Sequence, residues 1–209
     1  MKTYFALVAF IALTACGTPP KKTPPKTSCL QSPCLITFGD SITAGYGAQV
    51  SYSQRLANKL GLPLLNQGIP GLKMTDPNAL AIIDNTVIGP DDIVTMMTCY
   101  NDARAYGDNP NYINEFQQSL HEILLKLQAA HPKAIYVAGC IAQSPTENDL
   151  DTLTVAQTYS DIIRYTNVQY IDITNQFDST NPAYWLNSDQ IHPNDTGAEA
   201  IANIFYNSI

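Results

Sequence analysis

Positive charge is scarce in this 209-residue sequence, which has 11 Lys and Arg residues against 18 Asp and Glu residues and a formal net charge of −7. Binding to nucleic acid depends on clustered Lys and Arg, and the few lysines that do cluster lie in a proline-rich tract. A glycine-rich loop followed by Lys, which would cradle a phosphate, is also missing. We therefore expect no nucleic-acid partner and no cofactor.

Long hydrophobic runs are scarce as well. The apolar run Tyr4–Leu13 is too short to span a bilayer, which needs about 20 apolar residues. It follows Lys2 and precedes Leu13–Cys16, which is the arrangement of a signal peptide. Leu13–Cys16 also resembles the lipobox of bacterial lipoproteins, which implies cleavage before Cys16 and acylation of this cysteine. We predict a signal peptide over residues 1–15, with an ordinary secretory signal and an incidental Cys16 as the alternative.

A tract rich in Pro and Lys follows, GTPPKKTPPKT from Gly17 to Thr27. Such a tract cannot pack, and in polyproline II form, at ~3.1 Å per residue, it holds a domain roughly 30 Å from its anchor. We assign residues 16–33 to the lipidated cysteine and the tether, and residues 34–209 to one folded domain. By resemblance to enterobacterial sorting, Gly17 suggests delivery to the outer membrane, on its periplasmic or surface face. We expect a monomer, lipid-anchored in the bacterial cell envelope.

Four further cysteines, Cys29, Cys34, Cys99 and Cys140, form an even set, which an oxidising compartment allows to pair. The first two bracket the start of the first predicted strand, and the other two each follow a predicted strand. We therefore predict the disulfides Cys29–Cys34 and Cys99–Cys140. A zinc site is the alternative, but C-x4-C followed by two isolated cysteines matches no usual ligand pattern, so we expect no metal.

The remainder alternates short apolar runs with longer stretches of helical period, a pattern typical of a parallel α/β sheet. The predicted strands are Leu35–Phe38, Leu62–Leu65, Ile93–Met97, Ala134–Ala138 and Val168–Ile171. The predicted helices are Tyr52–Leu60, Asn78–Val87, Tyr112–Ala130, Leu150–Tyr165 and a last one after Pro193, capped by Asp195 or Thr196. We predict a single three-layer α/β/α domain with a five-stranded parallel sheet.

Ligands of such sheets bind outside the carboxyl ends of the strands, so the loops after the strands are the place to seek a site. Four polar blocks stand there or near the C-terminus: GDSITAGYG from Gly39, NQGIPG from Asn66, CYND from Cys99 and DQIHPN from Asp189. With these blocks the chain resembles the SGNH (GDSL) hydrolase family, and GDSITAGYG resembles its lysophospholipase/thioesterase and arylesterase branch. The resemblance covers nearly all of residues 35–209 and implies a flavodoxin-like fold.

A serine hydroxyl is a weak nucleophile until a neutral imidazole accepts its proton, and the imidazole needs a carboxylate on its other nitrogen. Ser41, His192 and Asp189 match these three catalytic roles in the family pattern. Two other histidines, His121 on the polar side of a helix and His131 at its end, are interpreted as solvated or capping residues. His192 is therefore the only good candidate for the base.

The oxyanion formed on attack needs preorganised donors. The resemblance implies that these are the backbone N–H of Ser41, the backbone N–H of Gly71 and the side-chain amide of Asn101. Gly suits the second role because, without a Cβ, its backbone approaches the substrate closely. Gly68 is the alternative for this glycine role.

One departure from the family concerns the acyl pocket. The family commonly has Gly two residues before the oxyanion asparagine, where this chain has Cys99, with the bulky Tyr100 next to Asn101. A narrowed pocket would favour acetyl over long acyl chains, and we place Tyr100 among the substrate-binding residues. Trp185 is assigned either to a substrate wall or to packing beneath the loop that carries Asp189.

Two other carboxyl groups, Asp40 and Asp102, neighbour the candidate catalytic residues, and we interpret them as structural hydrogen-bonding groups. A retaining glycosidase with paired carboxylates is an alternative, but it leaves Ser41 and His192 unexplained.

The leading hypothesis for function is a serine esterase that acts through an acyl-enzyme on O-acetylated envelope glycan or small acyl esters. The alternatives are a lysophospholipase or thioesterase, an acyltransferase with the same triad, and a non-catalytic lipoprotein that binds envelope material.

Overall fold

The computed structural model describes residues 26–141, 150–189 and 191–209. Its five strands are β1 (Leu35–Gly39), β2 (Leu64–Gly68), β3 (Ile93–Met97), β4 (Ala134–Ala138) and β5 (Gln169–Ile171). Its helices are α1 (Ser41–Ala44), α2 (Tyr52–Leu60), α3 (Pro77–Asp84), α4 (Tyr100–Tyr106), α5 (Pro110–Ala129), α6 (Leu150–Arg164), α7 (Ile173–Gln176) and α8 (Asp195–Ser208), with a 3₁₀ turn at Pro182–Tyr184.

The strands form one sheet in the order β2-β1-β3-β4-β5, and every pairing is parallel. This confirms the predicted five-stranded parallel sheet, and the order is that of flavodoxin-like folds. The direction of winding reverses between β1 and β3, because the chain moves outward to β2 on one side and to β4 and β5 on the other. A crevice for ligands opens at such a reversal, outside the carboxyl ends of the strands.

Alternate residues of the strands belong to two separate hydrophobic cores, because successive side chains of a strand point to opposite faces of the sheet. On one face, residues such as Ile36 and Phe38 pack with the apolar sides of α3, α5 and α6. On the other, Leu35 packs with α2 and α8. All five residues of β1 are buried, as a strand covered by helices on both faces requires. The result is the predicted α/β/α arrangement.

Several predicted boundaries are wrong, among them the end of the third helix, which lies at Asp84 and not at Val87. The second strand starts at Leu64 and continues to Gly68, because its backbone pairs with β1 in that register although its last residues are polar. The last helix is capped by Asn194, whose side-chain oxygen accepts the N–H groups of Thr196 (2.8 Å) and Gly197 (3.1 Å). Neither Asp195 nor Thr196 serves as the cap. The short helix α4 was not predicted.

Both predicted disulfides are present, Cys29–Cys34 and Cys99–Cys140. The first closes the segment before β1. The second joins the loop after β3 to the loop after β4, at the carboxyl edge of the sheet. Because all four sulfurs are engaged with one another, none is left as a thiolate ligand for the alternative zinc site.

The segment before Cys34 is attached to the domain. Thr27 exchanges backbone hydrogen bonds with Asn85 (2.7 Å) and Val87 (2.8 Å), just before β3. Ser32 Oγ donates to Asp92, which also accepts the N–H of Cys34. Thr27 and Ser32, which the sequence analysis assigned to the tether, thus contact the part of the chain that follows Cys34.

The predicted signal peptide and Cys16 lie outside the described residues. Within the residues that are described, none of the helices combines the length and the apolar character needed to cross a bilayer.

Loss of the two disulfides should cost unequal amounts of stability. The cysteines are 41 positions apart in Cys99–Cys140 and 5 apart in Cys29–Cys34, and the loop-closure model assigns them ~4 and ~2 kcal/mol. Alanine at both positions of each pair should lower the free energy of unfolding in this order, measured by urea titration without reductant. A larger loss for the Cys29–Cys34 pair would contradict this expectation.

Candidate active site

Ser41 lies at the first position of α1, directly after β1. The preceding Asp40 caps this helix, since its Oδ1 accepts the N–H of Ile42 at 2.9 Å. The N–H of a residue in the first helical turn has no partner within the helix. The short helix thus presents both the hydroxyl and the N–H of Ser41 at the carboxyl edge of the sheet.

His192 and Asp189 lie on the loop before α8 and meet Ser41 there. Nε2 of His192 is 3.0 Å from Ser41 Oγ, and its Nδ1 is 2.7 Å from Asp189 Oδ2. The carboxylate fixes the ring proton on Nδ1, which leaves the lone pair of Nε2 directed at the serine hydroxyl. The three side chains that the sequence analysis selected are therefore in one hydrogen-bonded chain.

Asp189 is held by its own turn. Its Oδ1 accepts the N–H groups of Ile191 (3.0 Å) and His192 (3.1 Å). Partial burial acts to raise the pKa of Asp189, but the hydrogen bonds from the His192 ring and from these two N–H groups outweigh it, and the pKa lies below its usual value. Asp189 is consequently ionised at neutral pH and suited to stabilise an imidazolium.

Of the two candidate glycines, Gly71 has the accessible backbone. It adopts φ = 77°, and a Cβ built on it would meet nothing within 4 Å. Gly68 is instead packed against α1, because a Cβ there would lie 2.2 Å from the backbone nitrogen of Ala44. The geometry therefore favours Gly71 as an oxyanion donor and gives Gly68 a packing role.

Asn101 follows β3 and lies near the other two candidate donors. Its side-chain amide donates to the carbonyl oxygen of Leu72 at 3.0 Å, and it lies 3.4 Å from Asp40 Oδ2. The second contact is long for a hydrogen bond, so this N–H remains available to a stronger acceptor such as an oxyanion. Asn101 thus links the loop after Gly71 to the cap of α1.

Asp102 fixes the same loop to α4. It is fully buried and accepts hydrogen bonds from the N–H of Met74 (2.7 Å) and from the N–H and hydroxyl of Thr75 (3.3 and 3.1 Å). Burial raises the pKa of Asp102, and these hydrogen bonds oppose the rise. As predicted, Asp102 is a structural hydrogen-bonding group.

A small and narrow pocket lies next to the first turn of α1, with Asp40 and Ile42, the two neighbours of Ser41, in its lining. Its lining is made of the ends of β1, β3 and β4 and the loops that follow them: Asp40, Ile42, Met97, Thr98, Cys99, Tyr100, Gly139 and Ile141. Tyr100 is only 8% exposed, and Cys99 is held by its disulfide to Cys140. Cys99, which departs from the family pattern, and Tyr100, which is next to the candidate oxyanion donor Asn101, thus both line this pocket.

Trp185 is buried, with 3% of its surface exposed. Its indole N–H donates to the carbonyl oxygen of Ser179 at 2.9 Å, and its ring packs edge-on against Phe177. These are the packing contacts of the alternative interpretation, and a substrate wall at Trp185 stays a prediction.

The sequence analysis did not single out Tyr46. Its ring centroid lies 4.7 Å from that of His192, and 60% of its surface is exposed. The Gly-Tyr-Gly order within GDSITAGYG is a signal for a tight turn at Tyr46. The contact between the rings of Tyr46 and His192 has no such signal, because His192 lies on a loop far along the chain.

Among the residues whose structure is described, no three His, Cys, Asp or Glu side chains converge in a way that could hold a metal ion.

Residues 37–200 fit the profile of the GDSL-like Lipase/Acylhydrolase family. No curated protein sequence matches the chain significantly.

Several solved structures share the fold. LAE5, an α/β hydrolase from the metagenome of Lake Arreo in Spain, is 26% identical with a TM-score of 0.66, and the match covers 85% of this chain and 94% of that one. A catalytic mutant of Axe2, an acetylxylan esterase from Geobacillus stearothermophilus, is 21% identical over the same shares with a TM-score of 0.67. A member of the lipolytic G-D-S-L family from Veillonella parvula is 19% identical with a TM-score of 0.64, over 81% and 94% of the two chains.

The buried Asp40 should make stability depend on pH. Burial raises its pKa to about 7, to which the neighbouring Asp102 contributes, whereas the hydrogen bond from Ile42 opposes the rise. The folded protein thus keeps a proton on Asp40 that the unfolded chain releases near pH 4, so this group lowers the free energy of unfolding as pH rises from about 4 to about 7.

Asp40→Asn keeps a capping side chain but cannot titrate. Denaturant titration gives the free energy of unfolding of both proteins at each pH. The value for the wild type, relative to that for Asp40→Asn, should therefore fall by a few kcal/mol between about pH 4 and pH 8. Groups common to both proteins cancel to first order. Identical pH dependence of the two proteins would show that Asp40 is ionised throughout.

Proposed function

The chain belongs to the GDSL-like lipase/acylhydrolase family, and from this membership we propose that it is a serine esterase working through an acyl-enzyme intermediate. The observation that carries the proposal is the continuous hydrogen-bonded chain from Ser41 through His192 to Asp189. Nothing else near Ser41 offers a neutral base within hydrogen-bond distance of its hydroxyl in the part of the chain that is described.

In the acylation half, Nε2 of His192 accepts the proton of Ser41 as Oγ attacks the ester carbonyl carbon. Asp189 stabilises the imidazolium, and the N–H groups of Ser41 and Gly71 and the amide of Asn101 donate to the oxyanion. The intermediate then collapses with cleavage of the carbon–oxygen bond. The alcohol leaves with the proton from His192, and the acyl group stays on Ser41.

In the deacylation half, water takes the place of the alcohol. His192 accepts its proton, the hydroxide attacks the acyl carbon, and a second oxyanion forms in the same position. Collapse releases the carboxylic acid, and Oγ of Ser41 recovers its proton from His192. No redox step or external acceptor enters this sequence.

We infer that the acyl group is short. The pocket beside Ser41 is small, and Tyr100 and the Cys99–Cys140 disulfide occupy space into which a long chain would have to extend. Of the common acyl groups, acetyl needs the least room in such a pocket. The lysophospholipase alternative requires a longer acyl chain and is disfavoured on this ground.

O-acetylated glycan is the substrate class that we propose. Axe2, which shares the fold, is described as an acetylxylan esterase, and envelope polysaccharides carry the same kind of ester. The predicted lipid anchor at Cys16 supports this choice. Thr27 joins the loop between α3 and β3, which leads into the amino end of β3, whereas Ser41 follows the carboxyl end of β1.

A tether leaving near Thr27 would therefore hold the active site away from the membrane, toward envelope polymers. We propose accordingly that residues 1–15 are a signal peptide and that Cys16 anchors the protein in the outer membrane. Lipids of the anchoring membrane are poorly placed as substrates in this orientation.

Substitution of the triad tests catalysis directly. Ser41→Ala should lower kcat for p-nitrophenyl acetate by at least ~10³-fold, and Asp189→Asn by roughly 10³- to 10⁴-fold, with substrate affinity little changed. A fluorophosphonate should label the wild type and the exposed-serine control Ser28→Ala but not Ser41→Ala. Full turnover by Ser41→Ala would contradict the proposed mechanism. A wild type that neither turns over esters nor reacts with the fluorophosphonate would favour a non-catalytic binding lipoprotein.

The acyl pocket predicts a preference among esters. The kcat/KM for p-nitrophenyl acetate should exceed that for the decanoyl ester by tenfold or more, because each methylene that finds no room loses on the order of tenfold. Tyr100→Ala should shift the ratio toward longer chains, whereas Tyr100→Phe should keep it. Equal turnover of both esters by the wild type would contradict a narrow pocket.

A further inference from the structure

Tyr46 is held in a turn built against the catalytic histidine. The turn follows α1 and has Gly45 and Gly47 on either side of Tyr46, both with positive φ (94° and 95°). The N–H of Tyr46 donates to the carbonyl oxygen of Ser41 at 2.9 Å. A Cβ on Gly47 would lie 2.8 Å from Cβ of His192, so only glycine lets the turn approach the histidine loop this closely.

The ring of Tyr46 lies beside the imidazole and is still open to solvent. The two ring centroids are 4.7 Å apart with an interplanar angle of 57°, and Tyr46 is 60% exposed. The side chain of His192 itself is only 16% exposed. An aromatic ring that is both exposed and already held in place can bind a ligand at little further entropic cost.

The reaction itself determines which part of the substrate lies next to this ring. The leaving oxygen receives its proton from Nε2 of His192, so it must come within hydrogen-bond distance of that nitrogen. The small pocket proposed above for the acyl group is lined by residues after β1, β3 and β4, such as Tyr100 and Gly139, and neither His192 nor Tyr46 is among them. The alcohol half of the ester therefore lies on the His192 side, where Tyr46 is exposed.

We propose that Tyr46 is a specificity-determining residue, on whose ring the sugar ring of the leaving alcohol stacks. This assignment rests on the esterase function proposed above and deepens it. One face of a pyranose consists of C–H groups that pack well on an aromatic ring.

The test compares two acetate esters that give the same acyl-enzyme and differ only in the alcohol. The substrates are an O-acetylated xylo-oligosaccharide and methyl acetate, and the quantity is the ratio of their kcat/KM values. Tyr46→Ala should lower this ratio about tenfold, whereas Tyr46→Phe should keep it within about twofold because the ring remains. Tyr165→Ala is the matched control, since Tyr165 is 87% exposed and follows α6 at the opposite edge of the sheet.

Methyl acetate serves as the internal reference for effects that act through His192. If Tyr46→Ala lowers kcat/KM equally for both esters, Tyr46 only positions the histidine and the proposal is wrong. An unchanged ratio with unchanged rates would also overturn it. If Tyr46→Phe lowers the ratio as much as Tyr46→Ala does, the hydroxyl and not the ring makes the contact, and stacking on the ring is wrong.

Binding of the same oligosaccharide, measured by calorimetry in a Ser41→Ala background, separates this proposal from the esterase function. Addition of Tyr46→Ala should weaken the affinity about tenfold. If the wild type cleaves neither ester but binding still depends on Tyr46, the esterase function is wrong and sugar binding by Tyr46 is supported. If both esters are cleaved and binding does not depend on Tyr46, the esterase function is supported and sugar binding by Tyr46 is wrong.

Discussion

The hydrogen bond between His192 Nε2 and Ser41 Oγ joins two loops that are 151 residues apart, and no local interaction can bring them together. The packing of α8 on α2 does so. Arg55 on α2 pairs with Asp195 at the start of α8, and Asp195 also accepts the N–H of Val50. These contacts seat the loop before α8 on the segment after α1. The triad therefore depends on the core on one face of the sheet, although none of its members belongs to that core.

The candidate oxyanion donors depend on a different set of contacts. The amide of Asn101 reaches the carbonyl of Leu72 and the carboxyl of Asp40, and Asp102 reaches the N–H of Met74. Two buried carboxyl groups in one small region are costly, and burial raises the pKa of both. Their hydrogen bonds fix three separate loops relative to one another. The arrangement of the candidate oxyanion donors is thus obtained at the expense of stability.

Much of the fold could be predicted because strands buried on both faces are continuous apolar runs, and Ile93–Met97 has the same bounds in the sequence and in the structure. The edge strand β2 could not, since its position depends on backbone pairing with β1 and not on burial. The triad was recognisable because its residues stand in motifs. The position of Tyr46 was not, because its contact with His192 exists only after the two loops have met.

The acyl group and the alcohol of an ester substrate are proposed to contact different parts of the protein. Substitutions in these two parts should differ in how strongly they affect catalysis. Cys99 lines the proposed acyl pocket, is joined to Cys140, and also immediately precedes α4, which carries the candidate oxyanion donor Asn101. A change that widens this pocket through Cys99 is therefore expected to disturb Asn101 as well. Tyr46 belongs to a separate turn. Its side chain contacts the triad at His192, and its other link to the triad, the hydrogen bond from its N–H to the carbonyl oxygen of Ser41, belongs to the backbone and does not depend on the side chain. Selectivity for the alcohol can therefore change with less effect on catalysis than selectivity for the acyl group.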